Sequence, residues 1–221
     1  NRLTEIVGQS ETLTALMLVQ TEYSGDVLPD FLKPIADGCP NLTYLHFQGL
    51  DHIAEDMNYL LMKKKHQLTG FHWCGAMHTS TLISLSECSM LNNITFKMFM
   101  LVDELVSLRT QIYELSSKNL RIVEYCESPI DYLNDILKGS YSVLKILKLF
   151  EPKGDLNYEL GLLLASAMNL EELYLEGMNL NDKVIRQIRS SKLKAFYNIR
   201  NSGIESSSYK FLRENCKTHR Y

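Results

Sequence analysis

The stretch Leu170-Glu171-Glu172-Leu173-Tyr174-Leu175 decides how this chain folds, because its leucines follow the spacing of a short strand with one buried side. Successive side chains of a strand point to opposite faces. Leu173 and Leu175 therefore point to one face, and Tyr174 points to the other. The stretch predicts a strand that buries its leucines and exposes the residues between them.

The same pattern, Leu-x-x-apolar-x-apolar, recurs eight times along the 221 residues. The units begin at Leu13, Leu42, Leu68, Leu91, Leu120, Leu144, Leu170 and Leu193. Their mean spacing is about 26 residues, within the range of repeats that stack into solenoids. Only Asn198, at the third position of the last unit, is not apolar. We therefore expect eight parallel strands stacked in chain order.

The segments between the strands carry apolar residues at helical spacing. The pattern predicts helices over residues 51–62, 102–108, 131–137, 158–165 and 182–188. Asp131 and Asp182 are the residue type that caps helix N-termini, and each stands where a helix is expected to begin. Because a helix is wider than a strand, one helix per repeat should space the repeats further apart on the helical side. The stack should therefore curve, with the strands on its concave side.

The repeats resemble leucine-rich repeats with helical outer faces, of the ribonuclease-inhibitor-like and cysteine-containing types. The second type is typical of F-box substrate receptors, and its mark is a Cys shortly before the strand, as in Cys39-Pro40-Asn41-Leu42 and Cys88-Ser89-Met90-Leu91. The resemblance implies an α/β horseshoe-shaped solenoid, with the parallel sheet on the concave face and helices on the convex face. Residues 1–221 would form one domain of about eight repeats. Because Leu3–Val7 look like the end of a preceding helix, we expect a fragment of a longer protein.

Composition excludes several function classes. The net charge of −3 argues against a nucleic-acid partner. No apolar run is long enough to span a bilayer. There is no phosphate loop, nucleophile elbow or zinc-protease motif. His46, His72 and Cys74 lie on adjacent predicted strands, but without a fourth ligand they are better explained as ordinary surface residues than as a metal site. We therefore predict no enzyme activity and no cofactor.

The cysteines favour a reducing compartment. Five of them, Cys39, Cys74, Cys88, Cys126 and Cys216, form an odd set without paired spacing, which predicts free thiols and a cytoplasmic or nuclear protein. Two glycosylation sequons, beginning at Asn41 and Asn93, favour an extracellular location instead. Both fall in predicted strands, where a glycan would be awkward.

The outward strand positions define a candidate binding surface on the expected concave face. Phe150, Tyr174 and Tyr197 fall on neighbouring strands, with Lys148 and Glu176 at their rim. Exposed aromatics are common interface anchors, although they also shield a sheet by packing on one another. Mixed charges nearby favour a protein partner over a phosphate-bearing one.

The leading functional interpretation is a protein–protein interaction domain that recognises substrates in an F-box-type ubiquitin ligase. An adaptor would then bind a region preceding Asn1. One alternative is the sensor or autoinhibitory repeat domain of a nucleotide-binding innate-immune receptor. Another is a GTPase-activating protein of the ribonuclease-inhibitor-like type.

Overall fold

The structure is a computed structural model that describes residues 2–20, 30–50, 53–102, 118–137, 139–154 and 156–215. These residues form an open parallel sheet of eight strands in the order β1 to β8. The strands are β1 (Ala15–Val19), β2 (Tyr44–Gln48), β3 (Gly70–Met77), β4 (Asn93–Leu101), β5 (Ile122–Cys126), β6 (Ile146–Phe150), β7 (Glu172–Glu176) and β8 (Ala195–Ile199). The predicted eight strands in chain order are confirmed.

The chain divides into two compact units. The first takes the described residues of Asn1–Ile94 and Met98–Ser117. Its helices are α1 (Arg2–Gly8), α2 (Lys33–Gly38), α3 (Ala54–Lys64) and α4 (Thr79–Ser86), which pack in chain order. In β1, β2 and β3, Leu16, Leu45 and Phe71 are register partners, as are Leu18, Phe47 and Trp73.

The second unit takes the described residues of Thr95–Lys97 and Lys118–Tyr221. Its helices are α5 (Asp131–Leu137), α6 (Leu156–Ser166), α7 (Asp182–Ile185) and α8 (Ser206–Asn215). Across β5 to β8 the register partners of the first inward column are Val123, Leu147, Leu173 and Phe196. All four of these side chains are fully buried, which confirms the inward register.

The ends of the inward columns differ from their middle. Leu18 on β1 is only half-buried. At the other end, half-buried Asn198 uses its amide to donate to the Tyr209 hydroxyl and accepts from the Asn201 side chain. The polar residue that breaks the leucine pattern is thus hydrogen-bonded, as a part-buried amide must be.

The predicted helices are confirmed in most positions but not at every end. α3 begins at Ala54, and residues 51–52 of its predicted start lie outside the described residues. The helix expected at 102–108 lies outside them too, except for Val102. α7 ends at Ile185, not 188, because the chain turns there.

Neither of the two predicted N-cap residues, Asp131 and Asp182, precedes its helix. Asp182 is not a cap: the preceding Asn181 has the extended backbone of a cap, and its side chain accepts from Lys183 N at 2.9 Å. Asp182 is instead the first residue of α7. Asp131 is likewise the first helical residue of α5 and does not precede the helix.

Five strands are followed by a residue with a left-handed backbone. Gly49 follows β2, Glu127 follows β5, Glu151 follows β6, Gly177 follows β7 and Arg200 follows β8, with φ between 47° and 70°. This conformation turns the chain sharply away from the sheet, and it costs side-chain-bearing residues more than glycine.

Two further expectations need correction. Strand alternation puts Cys74 and Cys126 at outward positions, one residue after Trp73 and Tyr125, but both cysteines are buried. A thiol is short, and Gln48 and Phe150 on the neighbouring strands are longer. Asn41 precedes β2 and does not lie within it, and its Nδ2 donates to Glu11 O at 2.6 Å.

Candidate functional site

The five residues predicted as a binding surface lie on three adjacent strands of the second unit. Lys148, Tyr174 and Tyr197 are register partners on β6, β7 and β8, and Phe150 is the partner of Glu176 one outward position further on. We call these five residues the tyrosine patch. They point away from the buried leucines because strand side chains alternate.

The centre of the patch is a stacked pair of rings. The centroids of Tyr174 and Tyr197 are 4.2 Å apart, and the ring planes differ by 10°. Lys148 Nζ lies 5.5 Å from the Tyr174 centroid on the neighbouring strand, within range of a cation–π interaction. All three side chains are half-buried, so each keeps part of its surface for contact.

The Tyr174 hydroxyl is held by an acidic neighbour. It donates to Glu172 Oε2 at 2.9 Å, and Glu172 lies two residues earlier on the same face of β7. Burial raises the pKa of Tyr174, and the hydrogen bonds to Glu172 and Tyr197 raise it further. The phenol therefore stays protonated at neutral pH and acts as a fixed hydrogen-bond donor.

Charged pairs surround the stacked rings. Lys148 Nζ lies 3.4 Å from Glu124 Oε2. Arg200, just after β8, pairs with Glu176 and lies 3.8 Å from Glu151 Oε1. These pairs fix the rim side chains in place, and their mixed signs suit a partner that also carries both signs.

A second charged cluster lies at the entry of the same strands. Glu171 accepts from Lys194 Nζ at 2.6 Å and from Lys145 Nζ at 2.9 Å. These two hydrogen bonds lower the pKa of Glu171 to about 2, although desolvation opposes the shift. The carboxylate is therefore charged throughout the physiological range.

The structure joins some of the predicted residues more closely than others. Tyr174, Tyr197 and Lys148 make direct contacts, whereas Phe150 lies beside Glu176 on the next position of the sheet. Glu172 and Arg200 were missed as members of the surface. Strand alternation could have identified Glu172, because Glu172 lies two residues before Tyr174 and therefore points to the same face of the strand. Arg200 lies beyond its strand, and no sequence signal marks its left-handed turn.

Metal-ligand clusters and membrane-spanning helices are both absent from the described residues. No group of three or more His, Cys, Asp or Glu side chains among them could hold a metal ion. His46 and His72, in the first unit, stack with ring centroids 3.8 Å apart, and burial lowers the pKa of His46. No helix in the described part of the chain has the length and apolar character needed to cross a membrane.

Comparison with known proteins places the fold in a recognised class. No family profile and no curated protein sequence matches this chain. Among solved structures it is similar to an internalin, InlF, from Listeria monocytogenes, a leucine-rich-repeat protein, with a TM-score of 0.55 and 13% sequence identity. The match covers 98% of this chain and 62% of the internalin chain. The chain therefore has a leucine-rich-repeat type of fold, and this likeness extends to the fold alone.

Proposed function

We propose that this protein is a binding module that recognises a protein partner through the tyrosine patch on the outer, expected concave, face of its sheet. The observation that carries the proposal is the parallel stack of Tyr174 on Tyr197, framed by Lys148 and Glu176. Two rings that already pack together lose little side-chain freedom when a partner covers them. Aromatic anchors inside a charged rim are the usual composition of a binding hot spot. The module is proposed to bind and not to catalyse.

Photo-cross-linking at the edge of the patch tests this proposal. A photoreactive phenylalanine analogue replaces Ile199, which is 45% exposed beside Tyr197, and a control carries it at Met62, which is 41% exposed on α3. Changing both Tyr174 and Tyr197 to Ala should weaken the binding free energy by about 2 kcal/mol or more. The protein captured at position 199 should then no longer be captured. Equal capture from both positions, or capture unaffected by the double change, would overturn the proposal.

For the cellular role we propose substrate recognition in an F-box-type ubiquitin ligase. The supporting observation is that Cys39 and Cys88, the residues of the cysteine-containing repeat type, are buried just before β2 and β4. In cells that express the full-length protein, the cross-linked partner should be ubiquitinated, and Tyr174→Ala/Tyr197→Ala should abolish that modification. A partner that is bound but never ubiquitinated would contradict this role and leave the binding proposal intact.

A further inference from the structure

One carboxylate beside the tyrosine patch has no cationic partner. Glu172 is half-buried on β7, and its Oε2 accepts from the Tyr174 hydroxyl at 2.9 Å. Its register partners on the neighbouring strands are Ile146 and Ala195, whose side chains cannot form hydrogen bonds. Within the described part of the chain, no lysine, arginine or histidine pairs with Glu172. A carboxylate can accept several hydrogen bonds, so most of this capacity is unused.

The nearest cations along the strands are engaged elsewhere. Lys145 and Lys194 both bind Glu171, which directly precedes Glu172. Because strand side chains alternate, Glu171 directs this pairing away from the face that carries Glu172. Arg121 precedes β5, two strands and about 10 Å from β7. The chain therefore leaves the charge of Glu172 without a local counter-ion.

The ion pairs around the stacked rings contain more carboxylates than cations. Lys148 binds Glu124, whereas Arg200 binds Glu176 and also lies 3.8 Å from Glu151. Both cations are thus already paired, and one of them is shared by two carboxylates. The unpaired carboxylate on β7 adds to this excess, so the surroundings of the rings favour a partner group with positive charge.

The ring of Tyr197 has a stacking neighbour on one face only. Tyr174 lies between Lys148 on β6 and Tyr197 on β8, so both of its faces have a neighbour. No other ring or cation stacks on Tyr197 among the residues that the structure describes. β8 is the last strand of the described sheet, so the outer face of this ring adjoins no further strand. An uncovered ring face attracts cations.

Glu172 and Tyr197 are close enough to contact the same side chain. The Tyr174 hydroxyl donates to Glu172 and also interacts with the side chain of Tyr197. The carboxylate and the phenol of Tyr197 are therefore separated by one hydroxyl group. A group that binds the carboxylate lies at the hydroxyl end of the Tyr197 ring.

We propose that the tyrosine patch receives an arginine side chain of the protein partner, with its guanidinium paired to Glu172 and packed against the Tyr197 ring. This inference rests on the proposed function and names the chemistry that the same surface recognises. Arginine suits the site better than lysine, because its planar group stacks on an aromatic ring and donates two parallel hydrogen bonds to one carboxylate. Its charge also offsets the excess of carboxylates around the rings.

Selection of a peptide-display library on the whole chain tests the proposal. Peptides that bind the wild type but not Tyr174→Ala/Tyr197→Ala report on the patch, and they should share an arginine. Citrulline keeps the shape of arginine without its charge, so this replacement should lower peptide affinity about tenfold or more. Lysine keeps the charge but not the planar group, and it should lower affinity about threefold or more.

Two adjacent carboxylates provide a matched pair of variants. Glu172→Gln should lower the affinity of the arginine peptide about tenfold and leave that of the citrulline peptide unchanged. A general disturbance of the sheet would affect both peptides, so this difference isolates the charge pair. Glu171→Gln removes the same charge one residue away and should keep the affinity of the arginine peptide within about threefold.

The outcomes separate this proposal from the one on which it rests. Patch-dependent peptides without a shared arginine, or arginine peptides that bind Glu172→Gln as tightly as the wild type, would overturn it. Equal affinity of the lysine and arginine peptides would also overturn it, as would a selection that yields no peptide dependent on the two tyrosines. The binding proposal is decided independently, by capture at position 199.

Discussion

Tyr197 lies parallel to Tyr174 across the β7–β8 pair, with ring centroids 4.2 Å apart and planes 10° from parallel. The two residues are direct register partners, so the sheet itself sets their separation. The outward face of β6 to β8 therefore carries an ordered pair of aromatic rings.

The tyrosine stack should be measurable as a coupling energy. Aromatic pairs contribute about 0.5–1.5 kcal/mol beyond the area that they bury. In a double-mutant cycle of Tyr174→Ala and Tyr197→Ala, urea unfolding should therefore give a coupling of that size. A cycle of Tyr174→Ala with Tyr158→Ala, which lies on α6, should be additive within about 0.5 kcal/mol. Additive behaviour of the stacked pair would show that the rings do not interact in solution.

Glu171 should make stability depend on pH in the acid range. Its pKa in the folded protein, about 2, lies below the ordinary value of 4.5, because Lys194 and Lys145 donate to the charged form. The unfolded state therefore binds a proton first, and the stabilisation is complete above pH about 4.5 and is lost as the pH falls towards about 2.

Comparison with Glu171→Gln isolates this effect. The variant should be less stable than the wild type at pH 6, by an amount below about 1 kcal/mol because both lysine partners are solvent-exposed. The difference should shrink between pH 4.5 and 2.5 in chemical unfolding, and it should disappear in a Lys145→Met/Lys194→Met background. A constant difference across that range would contradict the assignment.

Two glycines of the second unit should respond to alanine in opposite directions. Gly177 has a φ of +69°, and a Cβ there would lie 2.5 Å from Glu151 Cγ, so Gly177→Ala should cost about 1–2 kcal/mol. Gly161 is helical and has room for a methyl group, so Gly161→Ala should add about 0.5–1 kcal/mol. Thermal unfolding of both variants checks the pair. Destabilisation by Gly161→Ala would mean that α6 packs more tightly than described.

The sheet could be predicted from the sequence because one physical rule governs it. Leu147 and Leu149 face the core and Lys148 does not, since a strand alternates, and the regular repeat then aligns equivalent positions on neighbouring strands. The same register placed Tyr174 beside Tyr197. It could not show that their rings stack, because ring orientation depends on side-chain torsions that strand parity leaves free.

The missed features depend on local geometry that several residue types satisfy. Asn181 and Asp182 are both good capping residues, and only the backbone angles decide which one caps α7. Arg200 and Glu151 occupy left-handed positions where glycine is the expected residue.

Trp73 should be among the most costly core positions to truncate. It is 3% exposed, its ring lies 6.0 Å from Phe71 and 6.1 Å from Phe47, and its Nε1 donates to the carbonyls of Gly75 and Ala76. Trp73→Ala should lower the free energy of unfolding by about 3–5 kcal/mol. Trp73→Phe is the control and should cost less, since it retains most of the apolar contact but loses the indole donor. Near-wild-type melting of Trp73→Ala would exclude the inward register in β3.

The cysteines should remain reduced and slow to react in the native protein. Cys39, Cys74, Cys88 and Cys126 are buried thiols that form no disulfide, whereas Cys216 lies outside the described residues. Burial, helped by the neighbouring Glu87 carboxylate, raises the pKa of the Cys88 thiol to about 12. The thiolate is the reactive form, so at neutral pH Cys88 holds almost none of it.

Thiol titration with an aromatic disulfide reagent checks both points. Under native conditions the four buried thiols should react much more slowly than in denaturant, where all five should become accessible. Mass spectrometry of the intact protein, alkylated without reduction, should find five modified cysteines. Two or more disulfides would contradict the expected cytoplasmic or nuclear location. A Cys88→Ser variant is the control. The native reaction rate of the remaining thiols should not change in it, because Cys88 lies within the core of the first unit and contributes almost no thiolate to the reaction.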